Sequence, residues 1–407
     1  MQKWLSLMID PLMFNKKRTY EGFLFYIREP FLPIAGSLHY RIHNILLNLN
    51  RKSKVFIVPS NQDVQIIRST YHNTFVYRAR TPIPRFSYSL KFLLVGMFFA
   101  ETFFQLKKII KKHNIKAIYA FGSPILINLC YNHLDIPCFL DLTETDLPYV
   151  KLSEHKILSS IVGLPIENLL LSYAEKTNIE FIVLTETMKK YLIKKGIKAN
   201  RLLVAYDGTN PDLFSPIDYS KKCNKSIVFI GDIDNRDGVD VLLKAFSYVV
   251  KELNDTKLYI IGDGPALQKM IKLCSKLQLH RHTIFTGWIP FSQLIQILPT
   301  FSIGVVPSKK SLLNEIVIPR KTFEFMAAGL PVVASNLTAI KEVIKDNFSG
   351  MLFTPDDEVD LSGKLIDLLT NEELYMKIQR NGIKIARQHD VNKEINKILI
   401  KIDSYIN

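Results

Sequence analysis

The sequence predicts an α/β chain of two parallel-sheet domains, and three observations predict it. Short β-rich runs alternate with helical patterns along most of the 407 residues. The runs are continuously apolar rather than alternating, which marks strands covered on both faces. A turn-rich segment, Tyr206-Asp-Gly-Thr-Asn-Pro-Asp-Leu-Phe-Ser-Pro216, interrupts the alternation near the middle.

In the first half, strands are expected at Gly22–Ile27, Lys54–Pro59, Ala117–Phe121, Pro137–Leu142 and Glu180–Thr185. Helices fit 38–50, 88–113, 153–175 and 186–195. In the second half, strands are expected at Ser226–Gly231, Lys257–Gly262, Thr283–Thr286, Ser302–Pro307 and Pro331–Ser335. Helices near 239–252, 265–278, 291–299, 319–328 and 338–345 separate or follow them. In the first of these, Val239, Leu242, Leu243, Phe246, Val249 and Val250 fall on one face at helical spacing. The expected division is a domain over 1–205, a linker over 206–222, a domain over 223–389 and a terminal helix over 390–407. Two such domains joined by a linker create a cleft, and open parallel sheets bind ligands at the carboxyl ends of their strands.

Hydrophobic residues make up 47% of the chain, enough for sizeable cores and too many for a disordered protein. The four cysteines, Cys130, Cys138, Cys223 and Cys274, form no C-x-x-C pair, so neither a zinc ribbon nor a redox motif is indicated. His39 and His43 stand four apart, but no third ligand is apparent, and no metal site is expected. The apolar run Trp4–Phe14 is broken by Asp10 and Pro11, and Phe92–Ala100 is far shorter than the ~20 residues of a spanning helix. A cytoplasmic protein, soluble or peripheral at the membrane, is the expectation.

Nearly all of the +15 net charge lies within residues 1–210. A one-sided basic charge suits an anionic partner: lipid head groups, nucleic acid or a phosphorylated acceptor. Solubility alone is the plainer alternative. No RNP motif, zinc finger or basic heptad helix supports nucleic acid, and no nucleic-acid partner is expected. The segment Arg85–Lys112 carries Leu90, Phe92, Leu93, Phe98, Phe99, Phe103 and Phe104 and ends in Lys107, Lys108, Lys111 and Lys112. It reads either as a helix buried on the sheet or as an interfacial helix at an anionic membrane.

Three segments carry the chemistry. In Pro319-Arg-Lys-Thr-Phe-Glu-Phe-Met-Ala-Ala-Gly-Leu-Pro-Val-Val-Ala-Ser335, Pro319 suits the first helical position and Gly329 the left-handed cap. Arg320 and Lys321 at the helix start suit a diphosphate, and Glu324 one turn later suits ribose hydroxyls. A surface helix with solvated charges reads equally well. In Ile260-Ile-Gly-Asp-Gly-Pro265, Gly262 and Gly264 permit close approach of backbone to a ligand. In Phe229-Ile-Gly-Asp-Ile-Asp-Asn-Arg-Asp-Gly-Val-Asp240, Arg236 could reach the same phosphate, while Asp237 and Asp240 suit helix capping.

These phrases, with Ile182-Val-Leu-Thr-Glu-Thr-Met-Lys-Lys-Tyr-Leu192, Phe285-Thr-Gly-Trp-Ile-Pro290, Val306-Pro-Ser308 and Gly350-Met-Leu-Phe353, resemble the retaining nucleotide-sugar glycosyltransferases of family 4 in order and spacing. The likeness runs from about Glu180 to Asp390. It implies the GT-B fold, two Rossmann-like parallel-sheet domains facing a central cleft, with the terminal helix crossing back to the first domain. It implies a nucleotide-sugar donor, a sugar or lipid-linked acceptor, no cofactor and no metal. It assigns catalytic roles to Glu315 and Glu324, and donor contacts to Gly36, Ser37, Arg236, Gly262, Gly264, Ile289, Arg320, Lys321, Thr322 and Glu324. The chain also departs from the family. The first of two paired glutamates falls on Ile316, beside Glu315. The family's arginine and lysine of the first loop are Asp232 and Asp237, and its N-domain histidine is Thr143. Rival readings are a sugar-nucleotide epimerase, an inactive relative and, on charge alone, a basic nucleic-acid-binding protein.

Overall fold

Thirteen strands are seen in the computed structural model, which describes residues 20–27, 41–47, 53–59, 74–76, 107–121, 136–142, 168, 171, 179–217 and 225–406. In the N-terminal sheet these are β1 (Tyr20–Ile27), β2 (Ser53–Pro59), β3 (Thr74–Val76), β4 (Ala117–Phe121), β5 (Cys138–Asp141), β6 (Ile179–Val183) and β7 (Leu202–Val204). In the C-terminal sheet they are β8 (Ser226–Ile230), β9 (Lys257–Ile261), β10 (Thr283–Gly287), β11 (Ile303–Val306), β12 (Val332–Ser335) and β13 (Met351–Phe353). The orders are β3-β2-β1-β4-β5-β6-β7 and β10-β9-β8-β11-β12-β13, with every pairing parallel. Each order reverses beside its first strand, between β1 and β4 and between β8 and β11. That reversal is where open α/β sheets bind ligands.

Among the described residues, Thr185–Thr187 and Tyr206–Glu394 form one unit. Residues up to Leu184, Met188–Ala205 and those from Ile395 onward form the other.

The C-terminal sheet is apolar on both faces, and β8 shows why. Ile227 and Phe229 join Leu242, Phe246 and Leu365 on one face, while Val228 and Ile230 join Phe325, Met326 and Leu337 on the other. Strands buried on both sides need an apolar residue at every position. The edge strand β10 departs from this: Ile284 and Thr286 are exposed, alternating with the less exposed Thr283 and Phe285.

Several elements differ from the sequence-based expectation. The region expected to be helical over 338–345 holds only a 3-10 turn, Ile340–Glu342. Glu315 holds the start of this stretch: its carboxylate takes the Thr338 N–H at 2.8 Å and its carbonyl takes the Ala339 N–H at 3.1 Å. Pro319 is not the first helical residue: the helix is Lys321–Ala327 with Arg320 as its N-cap. Gly329 closes this helix at φ +73°, with Gly329 N–H on the Met326 carbonyl and Leu330 N–H on the Phe325 carbonyl. The helices Glu358–Thr370 and Glu372–Gln388 were not anticipated; Asp357 and Asn371 cap them.

The N-terminal unit buries an ion pair. Arg41, in the helical stretch 41–47, holds Asp141 at the end of β5 with Nε–Oδ2 at 2.9 Å and Nη2–Oδ1 at 3.2 Å. Arg41 also donates to the Ala205 carbonyl at 3.1 Å, and the Tyr119 hydroxyl donates to Asp141 at 2.6 Å. Burial and the neighbouring Asp141 charge push the Tyr119 phenol well above its ordinary range. His43, in the same helical stretch, is held to a pKa of about 4 by burial, so its ring is neutral at pH 7. In the same unit, the part of the terminal helix Val391–Ile406 that follows Glu394 is anchored on Glu180 of β6. Tyr405 donates to Glu180 Oε1, and Lys401 lies 3.0 Å from Oε2. No described helix is long and apolar enough to cross a membrane.

Candidate functional site

Three loops leave the carboxyl ends of β8, β9 and β11, and their backbones interlock. The Ile233 N–H bonds the Asp263 carbonyl at 2.9 Å, and the Ala266 N–H bonds the Ile233 carbonyl at 2.9 Å. A methyl group on Gly262 would lie 1.9 Å from the Gly231 carbonyl oxygen, and one on Gly264 2.6 Å from that of Ile233. Both glycines also have strongly positive φ. The glycine pattern therefore has a packing cause: it lets the β8 and β9 turns touch backbone to backbone. From the β11 side, the Lys309 N–H and the Asn314 amide both donate to the Arg236 carbonyl, at 2.9 and 3.2 Å.

At this junction sits Lys321, the first residue of its helix. Its ammonium lies 4.1 Å from the Phe229 ring centroid and 3.5 Å from Asp237 Oδ1, with only 10% of the side chain exposed. Burial lowers the Lys321 pKa, against the pull of Asp237, Asp232 and Glu324. Burial likewise raises that of Asp237, against Lys321 and Arg236. Both shifts favour the neutral forms, so desolvation outweighs the attraction of the pair.

The other two expected cations are also paired. Arg320 Nη2 lies 3.0 Å from Glu324 Oε1, both nearly buried, and its guanidinium sits over the Phe291 ring at 5.3 Å. Arg236 Nε is 3.9 Å from Asp234, and about a third of its side chain is exposed. Each cation thus faces a carboxylate. The Lys321–Ala327 helix has seven residues rather than the ten or so expected, so the ammonium matters more here than the helix dipole.

Thr322 is fully buried, and its hydroxyl has no hydrogen-bond partner among the described residues. Ile289 is half-buried and packs against the core beside Phe291, next to Trp288, which is 58% exposed. Glu315 spends one carboxylate oxygen on Thr338, through both its N–H and its hydroxyl. Gly36, Ser37 and Thr143 lie outside the described residues, as does His39. Asp237 and Asp240 do not cap the helix Val239–Glu252. Its N-cap is Gly238, and the two aspartates pair with Lys321 and Lys309. The Asp237–Lys321 pair escaped the sequence reading, although an aspartate at the family's lysine position was its visible signal.

The family described as Glycosyl transferases group 1 matches residues 217–385, the stretch that holds all three loops. An uncharacterized glycosyltransferase of Methanocaldococcus jannaschii is 28% identical over 291 residues, covering 70% of this chain and 75% of that one. The chitobiosyldiphosphodolichol beta-mannosyltransferase of Candida albicans is 23% identical over 317 residues, 73% of this chain and 62% of that one. The chain thus spans less than two thirds of the second relative's length. Anabaena HepE, solved in complex with UDP and glucose, superposes with a TM-score of 0.72 at 15% identity, covering 95% of this chain and all of that one. The fold is that of the GT-B glycosyltransferases. Residues 217–385, the stretch that the family model matches, are a group 1 glycosyltransferase domain.

Proposed function

We propose that this chain is a retaining glycosyltransferase that takes a sugar from a nucleotide-sugar donor and passes it to a sugar or lipid-linked acceptor. The observation that carries the reading is the nearly buried Lys321 ammonium at the β8–β11 reversal, inside the segment that matches the family. A cation there stabilises the charge that develops on the departing diphosphate, which is the main electrostatic task in such a transfer. Arg320, Arg236, Thr322 and the backbone of the Gly262 and Gly264 turn extend the same site, and Ile289 stands beside it at the end of β10. Glu324 takes the ribose, and Glu315 the transferred sugar. The Anabaena structure holds UDP and glucose, which agrees with the nucleotide donor, and the Candida relative is named for a lipid-linked diphosphate, which agrees with the acceptor.

The decisive measurement is thermal unfolding with UDP-, GDP- and ADP-sugars, because a ligand that binds only the folded state raises the midpoint. A rise with one nucleotide class supports the donor reading, and no rise with any of them removes it. The anomeric configuration of the product, followed by NMR, tests retention.

The lipid-linked acceptor draws support from the helical stretch 107–113, where Lys107, Lys108, Lys111 and Lys112 are exposed and Ile109 is buried. Each lysine near an anionic leaflet contributes about 1 kcal/mol at low salt. Replacing all four by Gln should abolish co-sedimentation with vesicles rich in anionic lipid. Wild-type protein that ignores such vesicles at low salt points to a soluble acceptor instead.

A further inference from the structure

We propose that Asp237 is a positioning residue that Lys321 must give up to the donor diphosphate, so that donor binding takes up one proton at the Asp237 carboxylate. This rests on the donor reading of the β8–β11 junction. Lys321 already has an anionic partner, and among the described residues Asp237 is the one carboxylate within ion-pair distance of it, at 3.5 Å. The remaining walls of the ammonium are the Phe229 ring and Gly231, where an added Cβ would lie 3.0 Å from Nζ. A diphosphate that reaches this ammonium therefore brings its charge next to the Asp237 carboxylate, which is only 18% exposed.

Like charges at such range in a desolvated place cannot both persist at low cost, and one of them takes a proton. The donor's diphosphate, esterified at both ends, is the weaker base. The carboxylate accepts the proton from solvent, Lys321 keeps its own, and no covalent bond of the donor changes.

The surrounding groups agree. Asp232, on the same loop, adds negative charge that makes protonation easier, and Arg236 opposes it. Burial already raises the Asp237 pKa before any ligand arrives. The other charged groups nearby are engaged elsewhere: Lys309 pairs with Asp240 at 2.7 Å, Glu324 with Arg320 at 3.0 Å, and the Asp263 carboxylate takes the Gly264 N–H at 2.7 Å.

The test is calorimetric titration of the full chain with UDP-glucose, GDP-mannose and ADP-glucose, whose diphosphates carry no group that titrates near neutrality. Titrations in two buffers of different ionisation enthalpy count the protons taken up. Uptake should rise toward one as pH is lowered from the alkaline side, with affinity rising by up to about tenfold per pH unit, and both effects should fade once the pH is low enough to protonate the carboxylate of the free protein. Asp237→Asn should bind with no uptake and no pH dependence there, and more tightly than wild type at the alkaline end. Wild-type binding without proton exchange, or uptake that survives in Asp237→Asn, overturns the proposal while leaving the donor reading intact. If Asp237→Asn does not fold, the wild-type proton count decides alone. Failure of all three donors to bind at any pH overturns both.

Discussion

The two sheets share a strand order, yet they treat charge at their carboxyl edges in opposite ways. In the N-terminal sheet, Arg41, Asp141 and Tyr119 form a closed set: the guanidinium bonds the carboxylate twice, and the phenol takes a further lone pair. Both ion-pair partners are almost wholly buried. In the C-terminal sheet, Lys321 and Asp237 meet once, at 3.5 Å, with part of each side chain still open to solvent. A charge pair whose hydrogen bonds are complete ties strands together and has nothing left for a ligand. A single long contact leaves donors and acceptors for one. The same chemical pairing thus serves architecture in one sheet and suits recognition in the other.

Breaking the closed set should give the largest effect. Arg41→Met leaves Asp141 buried without its counter-ion, and such a loss typically costs about 3–5 kcal/mol. Chemical denaturation should show it, and Arg41→Met with Asp141→Leu should cost less than Arg41→Met alone. A double variant that loses the sum of the two single-variant losses would mean that the pair is not coupled.

The open pair is expected to respond the other way round. Lys321→Ala should weaken nucleotide-sugar binding by roughly 1.5–3 kcal/mol, the scale of one charged hydrogen bond, and so should Glu324→Ala in the neighbouring Arg320–Glu324 pair. Folding should survive in both. Unchanged affinity in both variants would contradict the assignment.

A third contrast sharpens the role of the terminal helix. Burial and the Glu180 hydrogen bond raise the Tyr405 pKa to about 12. The folded state then holds that proton more tightly than the unfolded chain, whose tyrosines titrate near 10. The stabilisation is complete below about pH 10 and is lost as pH rises through about 12. Tyr405→Phe should flatten this alkaline decline, and a parallel decline in both proteins would assign it elsewhere. The smallest effect expected is none at all: transfer should survive EDTA, because Asp232 and Asp234 share a loop whose family counterpart uses no metal. Loss that manganese restores would make those aspartates ligands.

How much of this was legible in the sequence follows from element length and from the range of the contacts. β4 and the helix Val239–Glu252 fall where their apolar patterns put them, because Ala117–Ala120 are buried in unbroken sequence and the helix buries one continuous apolar face. β3, β7 and β13 have three residues each, too few to show a period against their surroundings. The 338–345 stretch has helical composition, but a pattern of barely two turns does not fix a helix by itself, and only the turn Ile340–Glu342 forms. The site was legible as a list of residues and not as a set of pairs. Arg320, Lys321 and Arg236 are visible as cations, yet only the fold shows that each stands against a carboxylate. Asp141 was visible as one acid ending an apolar run, while its partner Arg41 lies a hundred residues away.

The interlocked turns after β8 and β9 bear on any attempt to re-engineer this protein. Exchanging one turn for that of a relative would leave the other shaped for a neighbour no longer present, since Gly262 and Gly264 rest directly on the backbone of Gly231 and Ile233. The two loops form a single graftable cassette, and chimaeras that carry both from one parent should fold where half-exchanged ones do not.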